Sequence, residues 1–203
     1  GLLWSHVGAN LDVLCPSEHL DQVIPVWRQQ ARRVLDAIGW KQEKIIDRRF
    51  DTGANLAVSS PMDQLYTAMF ACQTAWHFTA AQLLHAVPNN FDIMIDDLIK
   101  VSQREANPAL MALISAANSH GIDVLCDDDE LSLGNGIGSQ TWSVFDLPQP
   151  EDVNWTNLHY VPVALITGSN GNTNTTRLCS AIGTAEDVTA GLTSTALVRV
   201  GVE

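Results

Sequence analysis

The sequence predicts an α/β chain in two parts: a helix-rich α+β N-terminal domain over residues 1–150, then the first strand, loop, helix and strand of a P-loop-like domain over residues 151–203. Three observations predict this class. Apolar residues recur at helical spacing through several stretches before Gly121. Gly121 closes one such stretch and is followed at once by the short apolar run "IDVLC", a helix–Gly–strand unit of the α/β crossover kind. Finally "VPVALITGSNGNTNTTRL", Val161 to Leu178, passes from a buried-strand run into a Gly-rich turn and a polar helix start.

Leu11 to Cys15 reads as a short strand stopped by Pro16. Ser17 is placed to cap a helix whose face carries Leu20, Val23, Ile24, Trp27, Ala31, Val34, Leu35 and Ile38, and which Gly39 ends. Pro25 sits in its early turns and moves the expected start towards Ile24. Asn55 to Ser59 is a second strand. "SPMD" then signals a helix start, with Ser60 as N-cap, Pro61 first in the helix and Asp63 in the first turn, where its charge suits the positive end. That helix is expected to reach Leu84. Further helices are expected over Phe91–Gln103 and from Asn107-Pro108 to Gly121, the latter with Leu110, Leu113, Ile114 and Ala117 on one face. "DDDELSLGNGIGSQTW" is acidic, then Gly-rich, then β-like. "DLPQPEDVNW" reads as a linker, so a domain boundary is expected near residue 150. A strand over Val161–Ile166, a helix from Thr173 to Ile182 and a further strand within "GLTSTALVRVGVE" complete the chain.

Of the 203 residues, 46% are hydrophobic, enough to bury a core and unlike a disordered composition. There are 23 acids against 11 Lys and Arg, a net charge of -12, which argues against nucleic acid or an anionic membrane as the main partner. Arg28, Arg32, Arg33, Lys41, Lys44, Arg48 and Arg49 do cluster, and read as a solvated helix face and its flank. Cys15, Cys72, Cys126 and Cys179 are too far apart for a metal or redox motif. Each sits in an apolar stretch, so buried free thiols and a reducing, cytoplasmic compartment are expected. The sequons at Asn154 and Asn174 carry weight only with a secretory signal, and a chain opening at Gly1 leaves an earlier leader open. Met62 to Leu84, the longest apolar helical stretch, holds Asp63, Gln64, Gln73, His77 and Gln82, too many polar groups for a bilayer.

The Gly-rich turn is where chemistry is expected. A strand that feeds a helix through such a turn points backbone N–H groups into one concavity, and the helix dipole adds partial positive charge there. Gly168 and Gly171 permit backbone angles that a side chain would block. The candidate cofactor-binding residues are therefore Gly168, Ser169, Asn170, Gly171, Asn172 and Thr173, with Thr173 also a candidate metal ligand through its hydroxyl. Where a nucleotide loop places Lys, this chain has Asn172. Without that charge the outer phosphates lose a partner, so anion binding by the backbone survives better than phosphoryl transfer. Taken alone, a turn of this kind is more often a plain strand–helix connection.

"TGSNGNTNTT", Thr167 to Thr176, resembles the T-G-T-N-G-K-T-T-T loop of the Mur ligase family, ATP-dependent amide ligases that activate a carboxylate as an acyl phosphate and join it to an amine. "GLTST", Gly191 to Thr195, is similar to the G-x-T-S/T-T segment that follows in that family, with Ala196 where the family usually has Asp. "ELSLGNGIGSQTW", Glu130 to Trp142, is similar to an L-G-x-G-x-x-Q run that precedes the ATP-grasp region of cyanophycin synthetases. Only a short stretch separates that run from the Mur-like strand, so the resemblance is to a cyanophycin-synthetase-like Mur ligase without an ATP-grasp domain. It covers roughly residues 107–203 and departs from the family at Asn172 and Asn174.

This resemblance implies ATP and Mg as cofactors. The family's acidic magnesium ligand, adenine pocket and closing C-terminal domain have no counterpart in this sequence. The expectation is therefore a truncated or decayed relative of an amide ligase, with weak or no activity and catalytic residues unknown. The alternative is a non-catalytic binding or assembly protein in which the loop is only a connection. An incomplete parallel sheet leaves an open edge and a bare apolar face, so the C-terminal part is expected to pack on the first domain, to form a homo-oligomer such as a dimer, or to belong with a missing C-terminal region.

Other residues read more plainly. Asp127, Asp128, Asp129 and Glu130 cannot all face one ion from an extended segment, so a solvated acidic turn is the better reading. His6, His19, His77, His85, His120 and His159 show no metal-ligand spacing. Ser59, Ser60 and Ser194 lack the setting of a nucleophile. Trp4, Trp27, Trp40, Trp76, Trp142 and Trp155 form no stripe and read as packing residues.

Overall fold

The computed structural model describes residues 4–195 and 197–201. The fold is mixed α/β, and every strand pairing among the described residues is antiparallel. Ala196, the departure from the family's Asp, lies outside the described residues.

The first unit contains β1 (Gly8–Leu14), α1 (Ser17–Ala37), β2 (Ile45–Phe50), β3 (Gly53–Ser59), α2 (Leu65–Leu83) and α3 (Phe91–Glu105), with strand order β1-β3-β2. The register sets Leu11, Leu56 and Asp47 side by side, so alternate residues of all three strands face α1 and α2. Leu56, Val58, Trp27, Val34 and Leu35 are the buried centre of this core. α1 runs unbroken from Ser17 through Pro25, earlier than expected, because Pro16 rather than Ser17 is its N-cap and its buried stripe spans the proline. The basic span is largely absorbed by the fold. Arg28 binds Asp47 at 2.5 Å and Arg49 binds Asp21 at 2.7 Å, tying β2 to α1. Arg32 donates to the carbonyls of Lys41 and Glu43, and the Arg33 guanidinium lies 3.7 Å from the centre of the Phe91 ring. Thus Lys44 to Arg49 forms a strand and its lead-in, where only a helix flank was expected.

The expected helix start at Ser60 is corrected. The N–H groups of Ser59 and Ser60 bond back to Lys44 and Val7, extending the sheet, and a turn over 61–64 intervenes before α2 begins at Leu65. The Ser60 hydroxyl is buried without a partner. The cap comes from far along the chain instead. Glu105 accepts hydrogen bonds from the N–H groups of Tyr66 and Thr67, both 2.7 Å, and from the Thr67 hydroxyl at 2.6 Å.

The second unit contains α4 (Pro108–Ser119), β4 (Val124–Cys126), β5 (Glu130–Leu133) and β6 (Gln140–Ser143). Asn107 caps α4 as its sequence suggests, accepting from the Leu110 N–H at 3.0 Å. β4 pairs with β5, and β5 with β6, as an antiparallel meander, so "IDVLC" does not begin the parallel crossover expected after Gly121. Its core joins Leu113, Leu131 and Leu133 to Val153 and Leu158, and so continues beyond residue 150, where a boundary was expected. The Gly-rich run after β5 clasps the chain that follows. Asn135 donates its N–H to the His159 carbonyl at 3.2 Å, and the His159 N–H bonds Gly138 at 3.1 Å. A Cβ at Gly138 would stand 2.6 Å from the His159 ring, so only glycine permits this approach.

The last unit is α5 (Asn172–Ala185) with the hairpin β7 (Gly191–Ser194) and β8 (Leu197–Val200). The strand expected over Val161–Ile166 does not form. Its residues pair with no other strand, and Val163 and Leu165 are 76% and 92% exposed. An apolar run needs a partner strand as well as the right residues, and none of the described residues supplies one.

Candidate functional site

The six predicted loop residues come together in one exposed turn. Gly168, Ser169, Asn170, Gly171 and Asn172 are exposed and Thr173 is half-buried. Gly171 is the N-cap of α5 with φ 81°, a left-handed conformation that glycine adopts without steric cost, and no side chain caps the helix from this position. The Gly171 carbonyl accepts from the Thr175 N–H at 2.9 Å and from the Thr175 hydroxyl at 3.0 Å. Thr176 likewise bonds the Asn172 carbonyl at 2.9 Å. Where the resemblance places Lys, Asn172 turns its own Oδ1 to the Thr173 N–H at 3.1 Å. The turn therefore has a helix start and an open approach, without the preceding strand that was to aim it.

Thr173 stands without a carboxylate cluster: among the described residues no group of three or more His, Cys, Asp or Glu side chains is arranged to hold a metal ion. The acidic run is a turn. Asp127 joins β4 to β5 by accepting from the N–H groups of Asp129 at 2.9 Å and Glu130 at 2.8 Å. Those two backbone bonds hold its carboxyl below the usual carboxylate range.

The cysteines differ more than their apolar neighbourhoods predict. All four are free, with Cys72 buried, Cys15 and Cys126 half-buried and Cys179 exposed on α5. Cys179 is a correction to the expected burial, since α5 has no buried residue at all. Desolvation pushes the Cys72 thiol up to about 12, so it stays protonated and unreactive. The tryptophans are packing residues where the structure buries them. Trp27 and Trp40 belong to the first core, and Trp155 stacks on His120 with ring centres 4.5 Å apart while donating to the Pro150 carbonyl at 2.9 Å.

Sequence reasoning missed the junction between the first two units. A cavity of about 230 Å³ there is lined by Asp63, Tyr66, Glu105, Asn107, Asp127 and Phe145, among others. Asp63 Oδ2 accepts from the Asn107 N–H at 2.7 Å, while its Oδ1 is buried without a partner. Glu105 is committed to capping α2, so this cavity is a structural seam.

No helix among the described residues is long and apolar enough to cross a membrane. No protein-family model matches the sequence, and no curated protein matches it.

Proposed function

We propose that this chain derives from an ATP-dependent Mur-type amide ligase, and that its C-terminal segment holds nucleotide phosphates at Gly168–Thr173 with little or no phosphoryl transfer. One observation carries the reading: the turn before α5 is open to solvent, with left-handed Gly171 leading into a helix start that has no side-chain cap from that residue. Backbone N–H groups there and the hydroxyl of Thr173 are the donors and ligand that Mg-ATP would meet. ATP, when bound, supplies the activating phosphoryl group in ligases of this type. Asn172 brings no positive charge, and its bond to the Thr173 N–H must yield before an anion binds there. A reducing, cytoplasmic setting suits four free thiols, one of them exposed.

Thermal unfolding with and without Mg-ATP tests this reading. The expected result is a small stabilisation of the natural chain and a larger one for Asn172→Lys. A non-catalytic assembly protein is the second reading, favoured by the exposure of Leu178, Ile182, Val198 and Val200 on α5 and β8. No nucleotide shift in either protein, together with a homo-oligomer at micromolar concentration, decides for assembly.

A further inference from the structure

A groove of about 480 Å³ runs between α5 and the β7–β8 hairpin, lined by Arg177, Ser180, Ala181, Thr184, Leu192 and Arg199. In a chain of net charge -12, two arginines and, among the described residues, no carboxylate line this groove. The seam cavity is the opposite, with Asp63, Glu105, Asp127 and Asp128 and no cation among the described residues of its walls. Arg177 makes no hydrogen bond or ion pair among the described residues, whereas Arg28, Arg32, Arg49 and Lys100 all pair with carboxylates. Arg199 donates Nε–H to the Gly201 carbonyl at 2.9 Å, which anchors its guanidinium, and neither terminal nitrogen is bonded among the described residues.

We propose that this groove binds a phosphate-bearing small molecule, with Arg177 and Arg199 as its two cationic clamps. Two guanidinium forks from separate elements present more N–H groups than one carboxylate can accept, and a phosphate's three terminal oxygens match them better. Ser180 adds a hydroxyl donor. Thr184 cannot donate to the ligand in the same geometry, because its hydroxyl bonds the Ser180 carbonyl at 3.0 Å. Leu192, only 9% exposed, gives the groove an apolar floor for the rest of the molecule. The site is separate from the Gly-rich turn: Arg177 lies five residues past Asn172, about 7.5 Å along the helix axis.

The test is amide NMR of the full chain titrated with inorganic phosphate and, in parallel, with succinate. Phosphate is expected to shift Arg177, Ser180 and Arg199 saturably, and to do so more tightly than succinate. Arg177→Gln should weaken phosphate binding about tenfold, with Arg177→Lys falling between. The Arg177 side chain is exposed and makes no bond among the described residues, so both variants keep the spectrum of a folded chain, and Arg199→Lys checks the second clamp. Shifts confined to residues 168–174 would support the loop and overturn the groove. Equal binding by Arg177→Gln overturns it as well, and so does a preference for succinate or the absence of any shift.

Discussion

α1 and α5 are both well-formed helices, yet one is built into a core and the other lies on a surface. α1 buries Leu20, Trp27, Ala31, Val34 and Leu35 against a three-stranded sheet and a second helix. α5 buries nothing, and among the described residues of the hairpin beside it one side chain, Leu192, is buried. Their sequences explain the contrast. "LDQVIPVWRQQARRVL" carries an apolar residue at each turn of one face, whereas "NTNTTRLCSAIGTA" offers little beyond Leu178 and Ile182. A helix draws most of its stability from a packed face, and a two-stranded hairpin is marginal in water. The candidate functional features, the turn and the groove, both lie in the weakly packed unit, where binding a ligand would add the order that packing does not.

Thiol labelling should show the largest difference between the two regions. Cys179 on exposed α5 is expected to react with a maleimide at the rate of a free thiol. Cys72 should wait for the first core to open, slower by about three orders of magnitude or more. Mass spectrometry of the labelled chain over time measures both. Comparable rates would mean the first core is loose and the contrast false. The same burial gives Cys72 a pH signature. Its folded value is raised above the ordinary 9.0 to about 12, so the stabilisation is complete below 9.0 and is lost as pH rises from there towards 12.

Core truncation comes next in size. Trp27→Ala should cost about 3–5 kcal/mol in urea unfolding, against about 0.5 kcal/mol or less for Ile182→Ala. Trp27→Phe sharpens the point, since it keeps an aromatic ring and removes an indole N–H that is buried without a partner. It should be milder than Trp27→Ala. A costly Ile182→Ala would show that α5 is covered in solution, as the assembly reading requires.

Glu105→Gln is expected to cost about 1–2 kcal/mol, read by the same unfolding experiment. An amide offers one acceptor oxygen, so its NH2 then faces either the Tyr66 N–H or the Thr67 N–H, which bond different oxygens of Glu105. Ser60→Ala, at the cap expected from the sequence, should cost little, because its hydroxyl bonds nothing.

That pair of mutations also marks where the sequence was legible. α1 was readable because a single stripe of apolar residues specifies it, and α4 because Asn107 and Pro108 are both local start signals. Ser60 carried an equally good local signal, but the sheet claimed its backbone and the cap came from Glu105, 38 residues beyond Thr67. β2 was hidden because Asp47 and Arg49 face the helix side of the sheet, tolerated there only through their pairing with Arg28 and Asp21. The direction of β4 depended on a partner further along the chain, and Val161–Ile166 found none. The loop residues are contiguous, so their proximity was readable in advance. The groove joins Arg177 on α5 to Arg199 on β8, and no spacing rule links them.

Gly171→Ala has the most local expected effect and bears most directly on the turn. At φ 81° an L side chain costs about 1–2 kcal/mol, and a Cβ there meets nothing within 4 Å, so the whole penalty is backbone strain. The strain falls on the residue whose carbonyl holds both the N–H and the hydroxyl of Thr175. Hydrogen exchange at Thr175 and the following turn of α5 should therefore quicken severalfold, while the unfolding midpoint of the first core stays put. Unchanged exchange in α5 would mean that the left-handed turn does not set the helix start. A midpoint shift of the same size throughout the molecule would mean that α5 unfolds with the core, and that its bare surface hides a cooperative contact.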